Sequence, residues 1–146
     1  MVFAENQSVI GVLYYERTSE VSTEVAGLVT AINVVEGQKV AKGDVVLKLD
    51  TEILEREIAL TRTRIEQIDL RIDNAERNFE RLEEIYEQSG VSEKVYDDAS
   101  YAYRDAVKEK QATRDTLQKL LIQKKRSIIR APFDGIVLSK NTDVGG

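Results

Sequence analysis

Arg81, Ile85 and Ser92 lie on either side of Gly90, and their types suit recognition rather than catalysis. A guanidinium offers several donors to backbone carbonyls or carboxylates. Arg81 and Ile85 are four residues apart, which puts them on one face of a helix. If Phe79 and Leu82 belong to the packing seam of that helix, Arg81 and Ile85 sit off it, and the helix's own core does not need Ile85. Each residue also has a plain structural use. Arg81 can pair with Glu80 or Glu84, which is worth little at an exposed site. Ser92 is an adequate helix N-cap. The surroundings are acidic, with Glu83, Glu84, Glu87, Glu93, Asp97 and Asp98 against Arg81 and Lys94. Such a cluster is by default a solvated face, and at most it steers a basic partner or repels a like one.

Catalytic groups are scarce. The 146 residues include no His, which removes the usual general base and the commonest transition-metal ligand. They include no Cys, which excludes thiol catalysis, zinc thiolate sites and disulfides. No catalytic residue and no metal site is therefore expected. With 21 Lys and Arg against 26 Asp and Glu, the net charge of −5 argues against nucleic acid as a partner. Apolar residues make up 42% and charged residues 32%, a composition that folds. No run approaches the roughly 18 apolar residues that span a bilayer.

The glycines and the single proline divide the chain. Gly27, Gly37, Gly43, Pro132 and Gly135 punctuate its ends as turns. Between Asp44 and Ala131 the only such residue is Gly90. The middle therefore reads as two long helices joined by a tight turn at residues 89–92. In the first arm, Leu54, Ile58, Thr61, Ile65, Ile68, Ile72, Ala75, Phe79, Leu82 and Tyr86 alternate steps of four and three. This is a heptad seam, the mark of a coiled coil. At 1.5 Å per residue the arm is about 55 Å long. Gly90 is expected to end it as the left-handed residue after the cap. The second arm, capped by Ser92, shows a thinner seam of Val95, Ala99, Ala102, Ala106, Lys110, Thr113, Leu117, Leu120 and Lys124. Folding back at Gly90 sets Tyr86 against Val95, Leu82 against Ala99, Phe79 against Ala102 and Ile68 against Thr113. Large side chains would then meet small ones.

The ends change period. Val21 to Val25 alternates, and Leu28–Ile32, Val34–Val40 and Val45–Leu49 are short β-branched runs between glycine turns. Ile128–Arg130 and Gly135–Leu138 repeat the pattern after the second arm. The β material is thus split by the helical pair. Residues 8–15 are also strand-like.

The turn residues carry a family resemblance. Glu36-Gly37-Gln38, Val40 and Lys42-Gly43-Asp44-Val45 resemble the first half of a lipoyl/biotinyl-type motif, and Arg130-Ala131-Pro132-Phe133-Asp134-Gly135-Ile136-Val137 resembles the start of its second half. A split motif around a coiled-coil hairpin is similar to the periplasmic adaptors, or membrane fusion proteins, of the HlyD/RND (resistance-nodulation-division) efflux family. The resemblance implies an α+β fold: a long antiparallel helical hairpin inserted into a lipoyl/biotinyl-like, barrel-sandwich hybrid β domain. Residues 1–20 would be a remnant of a membrane-proximal β domain and residues 21–50 the first half of the lipoyl-like domain. Residues 51–127 would be the hairpin. Residues 128–146 would be the second half, ending short of the later strands its pattern calls for.

The same resemblance implies function. The chain would be the periplasmic adaptor of a tripartite RND-type drug or solute pump, inner-membrane associated in the full-length protein. Its partners would be a TolC-like outer-membrane channel, an inner-membrane transporter, and further copies of itself in a hexamer. An adaptor for type I secretion or an ABC-type pump is the alternative, although such hairpins are often longer. The RND-type tip pattern is Arg, then Leu four residues on, then Ser seven beyond. It falls on Arg81, Ile85 and Ser92, which would dock the channel, with isoleucine in place of leucine. A biotin or lipoate carrier is less consistent with the chain. The carrier lysine position falls on Ile53, which cannot be acylated, so no cofactor is expected.

Overall fold

The computed structural model describes residues 19–22 and 24–145. The strand-like stretch at residues 8–15 lies outside them. Two long helices, α1 (Glu52–Glu87) and α2 (Glu93–Arg126), make up more than half of the described residues. Among the described residues, five short strands lie around their base: β1 (Val29–Ile32), β2 (Lys39–Val40), β3 (Val45–Leu49), β4 (Ile128–Arg130) and β5 (Gly135–Ile136). No strand forms over the described part of residues 21–25, where the chain bends at Glu24 and Val25. Alternation alone cannot make a strand there without a neighbour to pair with.

Antiparallel pairing joins β1, β3 and β4 into one sheet, with β3 at its centre. The second sheet pairs β2 with β5. Each sheet therefore takes strands from both sides of the helical insertion. The hairpin leaves at the end of β3 and returns into β4, the strand beside it. The neck is closed by the Leu49 amide donating to the Ser127 carbonyl at 2.8 Å. Val29, Leu47 and Leu49 form a small buried core, with Val25, Ile32, Val46 and Ile129 packed on it.

Two turns built alike shape the first half. In residues 35–38 and 41–44, the last amide donates to the first carbonyl at 3.1 Å in each case. The side chain of the last residue, Gln38 or Asp44, accepts from the first residue's amide at 3.0 or 2.9 Å. The third position is Gly37 or Gly43, with φ of +82° and +91°. A side chain there would be strained, which explains the repeated Gly-Gln and Gly-Asp pairs. Gly27 and Gly135 have no such backbone requirement, since neither has a left-handed φ. Pro132 sits in the bend between β4 and β5.

The second half ties onto these turns. The Gly43 amide donates to the Ala131 carbonyl at 2.8 Å, and the Ala131 amide to the Asp44 carbonyl at 2.9 Å. Asp134 accepts from the Lys42 amide at 2.6 Å, and Arg130 donates to the Gly43 carbonyl at 2.9 Å. The two motif halves thus form one unit across the hairpin.

The arms pack along the seam of α1. Nine of its ten residues are buried or half-buried, and Tyr86 is just exposed. Ile58 and Ile68 are the most covered. On α2 the pattern is corrected near the tip. Ala99, Ala106 and Thr113 are buried and Lys110, Leu117, Leu120 and Lys124 half-buried, but Val95 and Ala102 face solvent. Tyr96 and Tyr103 take their places. Large therefore meets large at this end. Phe79 lies 5.5 Å from Tyr96 and 6.2 Å from Tyr103 between ring centroids, and Tyr86 stacks on Tyr96 at 4.7 Å. Such offset rings bury more area than the alanine pairing would and add their own attraction.

Charged pairs accompany the seam farther down. Glu109 of α2 meets Arg64 at 3.5 Å and also pairs with Arg71, while Lys110 pairs with Asp69. Near the base Lys124 meets Glu55 at 2.7 Å. That hydrogen bond is the main reason the Glu55 carboxyl titrates below its ordinary value. Each partly exposed pair contributes little to stability, but together they favour one register.

Candidate functional site at the hairpin tip

The turn between the arms is a Schellman motif. The Gly90 amide donates to the Ile85 carbonyl and the Ser89 amide to the Tyr86 carbonyl, both at 2.8 Å. These bonds satisfy carbonyls that the end of α1 would leave open. The left-handed residue is Ser89, with φ of 58°, and not Gly90 as its type suggests. Gly90 is required for space instead: a β-carbon there would lie 2.5 Å from Cγ2 of Ile85.

A non-glycine residue in the left-handed region carries backbone strain. Ser89→Gly is expected to stabilise the hairpin by about 0.5–1 kcal/mol, the relieved strain outweighing the added unfolded-state entropy. Urea unfolding followed by circular dichroism checks this, through a higher midpoint with an unchanged slope.

The three tip residues occupy different settings. Arg81 is exposed on α1, and its Nη2 donates to Oδ1 of Asn78 at 3.2 Å. No ion pair to Glu80 or Glu84 forms within salt-bridge distance among the described residues. The guanidinium keeps most of its donors for another acceptor. Ser92 is exposed and caps α2, its Oγ accepting from the Val95 amide at 3.4 Å. Its hydroxyl proton is still available to donate. Ile85 is half-buried, seated against the Gly90 backbone rather than free in solvent as its off-seam position suggested.

The acidic residues of the tip, Glu83, Glu84, Glu87, Glu93, Asp97 and Asp98, are all exposed. Asp98 holds the Lys94 ammonium at 2.6 Å, and that bond raises the lysine pKa. Below the tip a shallow groove runs between the arms, floored by Ala75, Ala102 and Ala106 and edged by Asn78 and Arg81.

Sequence reasoning missed Tyr96 and Tyr103, whose rings hold the tip ends of the arms together. Tyr103 also donates its hydroxyl to Glu76 at 3.1 Å, and this bond raises the phenol pKa. An unbroken step of three and four carried back from Thr113 through Lys110 and Ala106 reaches both residues. At the base, Ile53 is 78% exposed in the first turn of α1. The turn that would present a carrier lysine is thus replaced by a helix start with an aliphatic side chain.

A β unit assembled from two chain halves around a helical hairpin is the architecture of the membrane fusion, or periplasmic adaptor, proteins. Residues 17–146 match the model of the family described as CzcB-like, barrel-sandwich hybrid domain, and the chain belongs to that family. It is 26% identical over 136 residues to the multidrug resistance protein MdtA of Yersinia pestis (strain Pestoides F), covering 93% of this chain and 31% of that protein. The MdtA of Yersinia enterocolitica is 25% identical over the same length. The chain thus spans about a third of the length of the curated relatives it matches.

Solved structures share the fold. The membrane fusion protein Spr0693 of Streptococcus pneumoniae aligns with a TM-score of 0.70 at 17% identity, over 88% of this chain and 55% of that one. ZneB of Cupriavidus metallidurans aligns with a TM-score of 0.52 at 23% identity, over 84% of this chain and 37% of that one. The family is one of adaptors and not of enzymes.

Proposed function

We propose that the chain is the hairpin and lipoyl-like part of the periplasmic adaptor of a tripartite, RND-type efflux pump. In this reading the hairpin projects from the β unit and its tip docks a TolC-like outer-membrane channel. The β units of neighbouring copies pack into a ring, a hexamer in the working pump, and the full-length protein is held at the inner membrane beside its transporter. Among the described residues no helix is long and apolar enough to cross a membrane.

One observation supports this reading above the others. A two-helix rod about 50 Å long ends in a rigid turn flanked by an arginine with free donors and a serine hydroxyl. Around them lie the exposed carboxylates of Glu83, Glu84, Glu87, Glu93, Asp97 and Asp98. Nothing in the rod's packing calls for Arg81 there. Its donors suit carbonyls or carboxylates at the helix ends of a partner. The relation to MdtA, a multidrug resistance protein, favours an efflux system over a secretion system. The test is capture of a TolC-type channel by the tagged adaptor from detergent extract, compared with Arg81→Asp. Equal capture by both proteins contradicts the tip assignment.

A further inference from the structure

We infer that Ile85 and Gly90 form one coupled unit of the tip, with Gly90 a positioning residue that seats Ile85 as a fixed apolar knob for the partner. The inference rests on the docking reading above and adds to it a determinant of tip shape. Gly90 does not adopt the left-handed conformation, which falls to Ser89. Backbone freedom therefore does not explain the glycine. Space does: a β-carbon at 90 would stand 2.5 Å from Cγ2 of Ile85, 3.8 Å from its Cβ and 3.2 Å from its carbonyl oxygen.

The crowded atom is a methyl on the branched Cβ of Ile85. It cannot swing away alone, because a β-branched side chain in a helix has essentially one χ1 rotamer. The Ile85 carbonyl is fixed as well, since it accepts the Gly90 amide at 2.8 Å. Isoleucine at 85 and a side chain at 90 thus cannot both keep their places unless the turn shifts. Leucine at 85 has no methyl on Cβ and removes the closest clash. What the partner meets is an isoleucine pinned over the turn, half-buried and therefore pre-ordered.

The test uses the adaptor co-expressed with a TolC-type channel, with capture measured for wild type, Gly90→Ala, Ile85→Leu, the double variant and Arg81→Asp. Gly90→Ala is expected to weaken capture by about tenfold, with helix content by circular dichroism unchanged. Ile85→Leu should stay within about threefold of wild type. Adding Ile85→Leu to Gly90→Ala should restore most of the loss. In the free protein, a nuclear Overhauser contact between the Ile85 γ2 methyl and the Gly90 α protons should be present.

Wild-type capture by Gly90→Ala overturns the coupling if Arg81→Asp still abolishes capture. So does a double variant no better than Gly90→Ala, or absence of the methyl contact. If Arg81→Asp binds like wild type, the docking reading itself falls and takes the coupling with it.

Discussion

Arg81→Asp is expected to abolish capture of the channel while leaving the hairpin folded. The side chain is exposed, and among the described residues its one hydrogen-bond partner is Asn78. Losing that neutral hydrogen bond at the surface leaves stability within about 0.5 kcal/mol of wild type. Docking should respond far more strongly. The substitution replaces a multi-donor cation with an acceptor-only anion, in a cluster already rich in exposed carboxylates. A carbonyl or carboxylate on the partner then faces repulsion in place of a charge-assisted bond. A loss of at least about a hundredfold is expected, the scale of one desolvated charged contact. Ser92→Arg should act in the same direction by filling the turn with a long side chain. Arg81→Lys should recover only part, because an ammonium lacks the planar fork.

Phe79→Ala is expected to be the most destabilising single change in the hairpin, at about 2–3 kcal/mol. The ring touches two others, at 5.5 Å from Tyr96 and 6.2 Å from Tyr103. Its removal takes from Tyr103 its ring partner and leaves Tyr96 stacked on Tyr86 alone. Truncating a fully buried phenylalanine costs about 3–5 kcal/mol, and a two-helix seam can collapse more easily than a domain core. Thermal unfolding of Phe79→Ala against Tyr101→Ala checks this. Tyr101 is 67% exposed, and its removal should change stability by less than about 0.5 kcal/mol. The loss should also fray the tip ends of both arms, so channel capture should weaken together with stability. Arg81→Asp differs in weakening capture alone.

The first arm was legible in the sequence because its seam alternates without a fault from Leu54 to Tyr86. Large aliphatic or aromatic residues at eight of its ten positions leave one face to bury. In the second arm the signal is weak. Alanines at 99 and 106 fit either of two stripes, one through Val95 and Ala102 and one through Tyr96 and Tyr103, and only packing against Phe79 decides for the second. Aromatic rings bury more area than the alanine alternative, so tertiary contact overrode the simpler pattern. Gly90 was misread for a related reason. Residue type suggests which position is left-handed, but here Ser89 bears the strain so that Ile85 can lie over a bare backbone. The split β unit was legible from Gly37, Gly43 and the Pro132–Gly135 turn together. The strand expected at residues 21–25 rested on alternation alone. The places of Arg81, Ile85 and Ser92 beside the turn follow from the sequence, but the half-buried state of Ile85 does not, because it depends on the path of the turn.

The most direct measurement is site-specific photo-cross-linking in cells that contain the transporter and channel. A photoreactive side chain replaces Glu84 at the tip in one protein and Leu60, 72% exposed far down the first arm, in another. A covalent product with the outer-membrane channel is expected from position 84 and none from position 60. A product from position 60 with none from position 84 would contradict docking through the tip.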